Sequence, residues 1–146
     1  MRHEPIFKWD PDTGTATCIL TDGHNIFVGI ATCSPEDQDM MNEKTGCHIA
    51  QFRAEIDYLI HVRDNELKPK LAALKQLYFS INKSSHFNEK SYETKMLRRQ
   101  IYLINSDLNA VKEELAQVKA DLQFYLKEKE NFYKKVRENR LKVKNN

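Results

Sequence analysis

The chain has 146 residues, of which 40% are hydrophobic and 30% charged, with only 4 Gly and 4 Pro and a mean hydropathy of -0.68. So few turn formers beside abundant Lys, Glu, Leu and Gln favour helices over a many-stranded fold and predict a mainly α, elongated chain. With 23 Lys and Arg against 21 Asp and Glu, the net charge of +2 is too small a field to force a nucleic-acid or membrane reading, and no run approaches the ~20 apolar residues of a bilayer span.

Residues 1–14 read as an irregular arm with Pro5, Pro11 and a turn at Asp10 to Gly14. Thr15 to Thr21 and Ile26 to Thr32 are β-branched, apolar segments separated by Asp22-Gly23-His24-Asn25, which predicts a β-hairpin because Asp-Gly tolerates the positive φ of a tight turn. Alternation places Ile19, Val28 and Ile30 on one face and Cys18, Leu20 and Phe27 on the other. A lone two-stranded ribbon is marginal in water, so helices must cover it.

Ser34-Pro35-Glu36-Asp37 carries the chemistry of a helix start: a hydroxyl cap, a proline where no N–H is needed, then acids at the positive end of the dipole. The first long helix begins between Asn42 and Cys47 and runs to about Ile81. Its apolar residues fall in two phases, Ile49, Phe52, Ile56 and Leu59, then Leu67, Leu71, Leu74, Tyr78 and Ile81. The phases do not join in register, and Pro69 follows, so a kink or break is expected between Arg63 and Pro69. The polar stretch from Asn82 to Ser91 is the expected loop, with Asn88 or Ser91 as the next cap and His86 and Phe87 at its tip.

From Ser91 to Val143 the pattern is that of one long helix. Leu97, Ile101, Ile104, Leu108, Val111, Leu115, Val118 and Leu122 repeat with 4-3 spacing, and Tyr125, Lys129, Phe132, Val136, Asn139 and Val143 continue it. Six heptads predict a coiled coil. With Leu97 at position d, leucines at a and β-branched residues at d lean towards a bundle of three or four helices rather than a two-stranded zipper, and Leu103, Phe124 and Leu126 widen the apolar face. Position g carries Asp107, Glu114, Asp121 and Glu128, and position e carries Lys112 and Lys119, so parallel copies would match Asp107 with Lys112 and Glu114 with Lys119. The expected assembly is a homo-oligomer, a dimer of antiparallel helical hairpins with their long helices parallel; a lone kinked hairpin is the alternative.

The predicted fold is therefore an N-terminal β-hairpin packed on a long antiparallel helical hairpin with a coiled-coil second helix. Residues 1–41 form the arm and ribbon, residues 42–146 the helices, and the whole is one cooperative unit. The longer second helix overhangs the first, which places Phe132, Tyr133 and Val136 against the ribbon.

Catalytic and metal chemistry find little support. Cys18, Cys33 and Cys47 are odd in number and form no CxxC pair, and only Cys47-His48 approaches a ligand spacing, with side chains about 100° apart on a helix. With no apolar leader run at the N-terminus, the thiols are expected to be reduced and the protein cytoplasmic. There is no P-loop, GxSxG or HExxH, and Glu36, Asp37 and Asp39 are explained by a helix cap, so no enzyme, metal or cofactor is expected. Lys134, Lys135, Arg137 and Arg140 cluster at the C-terminal helix end, where they suit the macrodipole and are also candidates for nucleic-acid contact.

Val28-Gly-Ile-Ala-Thr-Cys-Ser-Pro-Glu-Asp37 followed by Gly46-Cys-His-Ile-Ala-Gln-Phe-Arg-Ala54 resembles a strand-loop-helix module of small tailed-phage and prophage accessory proteins, read as Pro-x-Asp, then Gly-x-x-Ile-Ala-x-x-Arg-Ala. The likeness covers about 30 residues and excludes the heptad helix. It implies a phage protein in a bacterial host, with Gly46 and Ala50 where the helix nears the ribbon and Arg53 bracing the Asp37 loop. Such proteins often bind one host protein, inhibitors of defence systems such as CRISPR among them. The expected function is a non-enzymatic phage-type protein that self-associates and binds a host or phage protein, with inhibition of that partner as the extension by analogy. The alternatives are a nucleic-acid-binding accessory protein and a structural virion or assembly component.

Overall fold

The computed structural model describes residues 4–33, 42–83 and 91–145. The predicted cap at Ser34 and Pro35, the brace from Arg53 to Asp37, and the loop residues His86, Phe87 and Asn88 lie outside them. Three strands, β1 (Ile6–Asp10), β2 (Thr15–Thr21) and β3 (Ile26–Thr32), precede three α-helices, α1 (Glu43–His61), α2 (Lys68–Asn82) and α3 (Tyr92–Asn145). The chain divides into two compact units, one of residues 1–58 with 117–146 and one of residues 59–116.

In the first unit the strands form an antiparallel sheet in the order β1-β2-β3. The β2–β3 turn is closed by the Asp22 carboxylate, which accepts from the backbone N–H of His24 at 2.9 Å and of Asn25 at 2.7 Å while Gly23 supplies φ 96°. The supposed arm is different from its expectation. Ile6 to Asp10 pair with Ile19 to Thr15 as a third strand, and Gly14, at φ 65°, turns the chain. Five residues between two prolines are too few to show a strand period, and the pairing that orders them comes from β2.

One sheet face is built of small groups, Ala16, Cys18 and Ala31, with Leu20 and Phe27, all buried. Gly29 lies among them and α1 crosses it closely: a Cβ there would overlap the Ala50 carbonyl oxygen and stand 2.5 Å from the Ala54 amide nitrogen. Ala50 and Ala54 are themselves fully buried. Arg53 reaches over the strand and donates from Nη1 to the Ile30 carbonyl at 2.6 Å, and Phe27 meets Tyr58 edge-on at 5.3 Å. Asn42 caps α1, its side-chain oxygen accepting from the Thr45 N–H at 2.8 Å.

Leu122 joins this core and Tyr125 and Leu126 pack against it. That corrects the predicted cover by Phe132, Tyr133 and Val136: Phe132 is 56% exposed, and Tyr133 and Val136 are half-buried outside the cluster. The sheet lies flat on the middle of α1, where Gly29, Ala50 and Ala54 permit it, instead of beyond the helix start. The stretch of α3 that closes the core therefore comes two to three turns earlier.

In the second unit, the predicted kink is a π-helical turn, Val62–Leu67, and helical backbone continues into α2. The Lys68 N–H bonds to the Arg63 carbonyl, five residues back. A π turn takes up about one extra residue, which absorbs the phase mismatch between the two apolar patterns, and Pro69 follows it in the first turn of α2. Leu71, Leu97, Leu108 and Leu115 are buried here. Ser91 caps α3: its Oγ accepts from the Thr94 N–H at 3.2 Å and donates to Thr94 Oγ1 at 2.7 Å, and Thr94 is 2% exposed. Arg98 donates to the Tyr78 hydroxyl at 2.9 Å and its guanidinium lies 5.5 Å from that ring.

Candidate interaction surface

α3 runs for 54 residues, a length that Ala, Leu, Lys and Glu favour and that no Gly or Pro interrupts. Its predicted association residues divide into two sets. Leu97, Leu108, Leu115 and Leu122 are buried within the single chain, whereas Ile101, Ile104, Val111 and Val118 are half-buried. The leucine row is thus occupied by the chain's own packing. Outside it, Met96 and Leu103, seven residues apart in the second unit, are 36% and 41% exposed, and Phe124 in the first unit is 67% exposed. The acids Asp107, Glu114, Asp121 and Glu128 are exposed on the same side.

Of the C-terminal cations, Lys134, Lys135 and Arg140 are exposed and Arg137 is half-buried. Among them Leu141 and Val143, on different sides of the helix, are 59% and 76% exposed.

Cys18, Cys33 and His48 are held by packing. Burial, helped by the nearby Glu55 and Cys47, pushes the Cys18 thiol up to about 11, and burial likewise raises Cys47. A thiol held protonated is a weak nucleophile and a weak ligand. Cys33 is buried. The His48 ring stacks on Phe52 at 4.9 Å and leans on Tyr125 at 4.5 Å. No known protein family, curated protein or solved structure matches the chain. Among the described residues, no helix is long and apolar enough to cross a membrane.

The outer sheet face carries a signal that the sequence reading treated only as apolar alternation. Ile6, Ile26, Val28 and Ile30 are 63%, 69%, 43% and 52% exposed. In the strand register, Ile6, Ile19 and Val28 stand in one row. The cue was the run Ile26, Val28, Ile30; which face remained open could not be known without the position of α1.

Proposed function

We propose that this is a non-enzymatic binding protein that self-associates through the outer side of α3 and engages a second protein. The observation that carries the reading is the exposed pair Met96 and Leu103 beside a leucine row already buried within the chain. Single exposed apolar residues are ordinary, but the pair Met96 and Leu103, one heptad apart beside packed leucines, is more than a helix needs to close its own fold. The finer fold is an antiparallel helical hairpin with a coiled-coil second helix. Two contacts support it, each within its own unit: Tyr78 with Arg98, and His48 with Tyr125. The buried thiols and the stacked His48 support the absence of catalysis from the reading. The further extension to a phage protein that inhibits a host defence system rests on the likeness of residues 28–54 alone.

Light scattering on the full chain tests self-association. The expected mass at micromolar concentration is a dimer or larger, reduced by Leu103→Asp or Phe124→Asp with helical content kept. A strict monomer would overturn the reading.

A second reading, nucleic-acid binding, is favoured by the exposure of Lys134, Lys135 and Arg140. It predicts salt-dependent retention of DNA or RNA that is lost when Lys134, Lys135, Arg137 and Arg140 are changed to Glu. Absence of retention at low salt removes it.

A further inference from the structure

The sheet of the first unit has two unlike faces. Its inner face is closed by Ala50 and Ala54 of α1 and by Leu122. Its outer face is apolar as well, and the strand register gathers the apolar groups into one patch. Ile6, Ile19 and Val28 stand side by side across the three strands, and Ile26 and Ile30 flank Val28 along β3. At their exposures, Ile6, Ile26, Val28 and Ile30 present roughly 400 Å² of apolar surface, the size of the largest patch that an ordinary monomer carries.

We propose that this face is an interface with a second copy of the chain, the two sheets packed face to face. Stacked sheets interlock their side chains, and β-branched groups, stiff at χ1, lose little freedom in doing so. With Ile19 and the four threonines Thr15, Thr17, Thr21 and Thr32 included, two copies of the face cover about 1,200 Å², the lower end of stable interfaces. The distribution of charge suits a two-fold contact, which sets a patch against itself and would bring like charges together at its centre. In the three strands only Lys8 and Asp10 charge this face, and both stand on the edge strand β1, at the rim of the patch. The hydroxyls at one end are partnered before any contact forms, Thr15 with Thr32 at 3.3 Å and with Thr13 at 2.9 Å, so covering them costs little.

Other contacts fit this part of the sheet less well. Addition of a strand to the free edge of β3 meets Arg53, which already holds the Ile30 carbonyl at 2.6 Å. Nucleic acid would find one cation on the face, Lys8, and would leave the isoleucines uncovered.

The sheet contact is separate from the association proposed for α3 and does not rest on it. Sedimentation equilibrium of the full chain is compared for the native sequence, I26T/I30T, L103D and the combination of the two, with circular dichroism to show that the fold is kept. Threonine preserves the β-branched shape and the strand preference while removing apolar surface, so I26T/I30T alters the contact and spares the sheet. The expected result is a native chain that associates, with the sheet contact weakened about 100-fold or more in I26T/I30T whether or not L103D is present. Mass that falls with L103D and not with I26T/I30T keeps the α3 association and overturns the sheet contact. Mass that falls with I26T/I30T and not with L103D keeps the sheet contact and overturns the α3 association. A native chain that is monomeric throughout overturns both. Methyl resonances of Ile26 and Ile30 that respond to neutral phosphatidylcholine vesicles and not to protein concentration assign the face to a lipid surface and overturn the proposal.

Discussion

Gly29 and Ala50 meet backbone to backbone: the hydrogen that serves as the side chain of Gly29 points at the Ala50 carbonyl, and no Cβ fits between them. This contact sets the distance between sheet and α1. Gly29→Ala would force the strand off the helix, and since both obstacles are main-chain atoms neither can turn aside. The expected loss is about 3 kcal/mol or more in urea unfolding, at the upper end of overpacking costs. Ile30→Ala, on the exposed face next door, should cost much less.

Asp22 predicts an acid dependence. Backbone N–H groups of Asn25 and His24 hold its carboxyl at about 2, below the ordinary 3.8. A depressed carboxyl stabilises the fold fully above the ordinary value, and the contribution disappears as pH falls through about 2. The stability difference between native and Asp22→Ala chains should therefore be level above pH 3.8 and shrink from there towards pH 2. A difference that does not change over that window would remove the turn as its source.

Asp64 should titrate in the same direction for another reason. Arg63 Nε at 2.8 Å and Lys68 Nζ at 3.2 Å hold it at about 2. Because the groups are exposed, salt should move its carboxyl resonance midpoint back towards 3.8, while the Asp22 midpoint, set mainly by fixed N–H groups, should respond less.

Cys18 should be the slow thiol. Held at about 11 against an ordinary 9.0, it favours the folded state below pH 9.0, and that contribution is lost as pH rises towards 11. Labelling with a thiol reagent near neutral pH should modify Cys18 only through unfolding, at a rate that follows denaturant. Prompt native-state labelling would contradict its burial.

Leu122 and Tyr102 lie on the same helix and should differ sharply. Leu122→Ala empties a core position that is 8% exposed and should cost about 2–5 kcal/mol, whereas Tyr102, 71% exposed, should tolerate Ala within about 0.5 kcal/mol. Ser91→Ala, which removes the α3 cap and leaves buried Thr94 without its donor, should fall between them at about 1–2 kcal/mol. Thermal unfolding of the three variants gives the order directly.

Features carried by short-range chemistry were legible in the chain itself. Asp22-Gly23 marks its turn because the carboxylate and the positive φ act within four residues. Ser91, one of two candidates with Asn88, marks a helix start because a cap bonds only three residues ahead, whereas the start of α1 was bracketed between Asn42 and Cys47 and the Asn42 cap came from the structure. The unbroken 4-3 repeat set the extent of α3 for the same reason: helix periodicity is a local property. The π turn was visible only as a phase error between Leu59 and Leu67, since the repeat shows that a residue must be absorbed without showing how.

What depended on distant partners was decided by the tertiary structure. β1 exists because β2 offers an edge to five residues that carry too short a pattern to declare themselves. That the core closed over Leu122 rather than Phe132, and that α1 lies against the sheet at Gly29, are both properties of the packed unit. The sequence by itself determined a long amphipathic helix with acids and then lysines along one side. Only packing decided which of its apolar rows was consumed inside the chain, because burial belongs to the assembled core and periodicity specifies a face without naming what covers it.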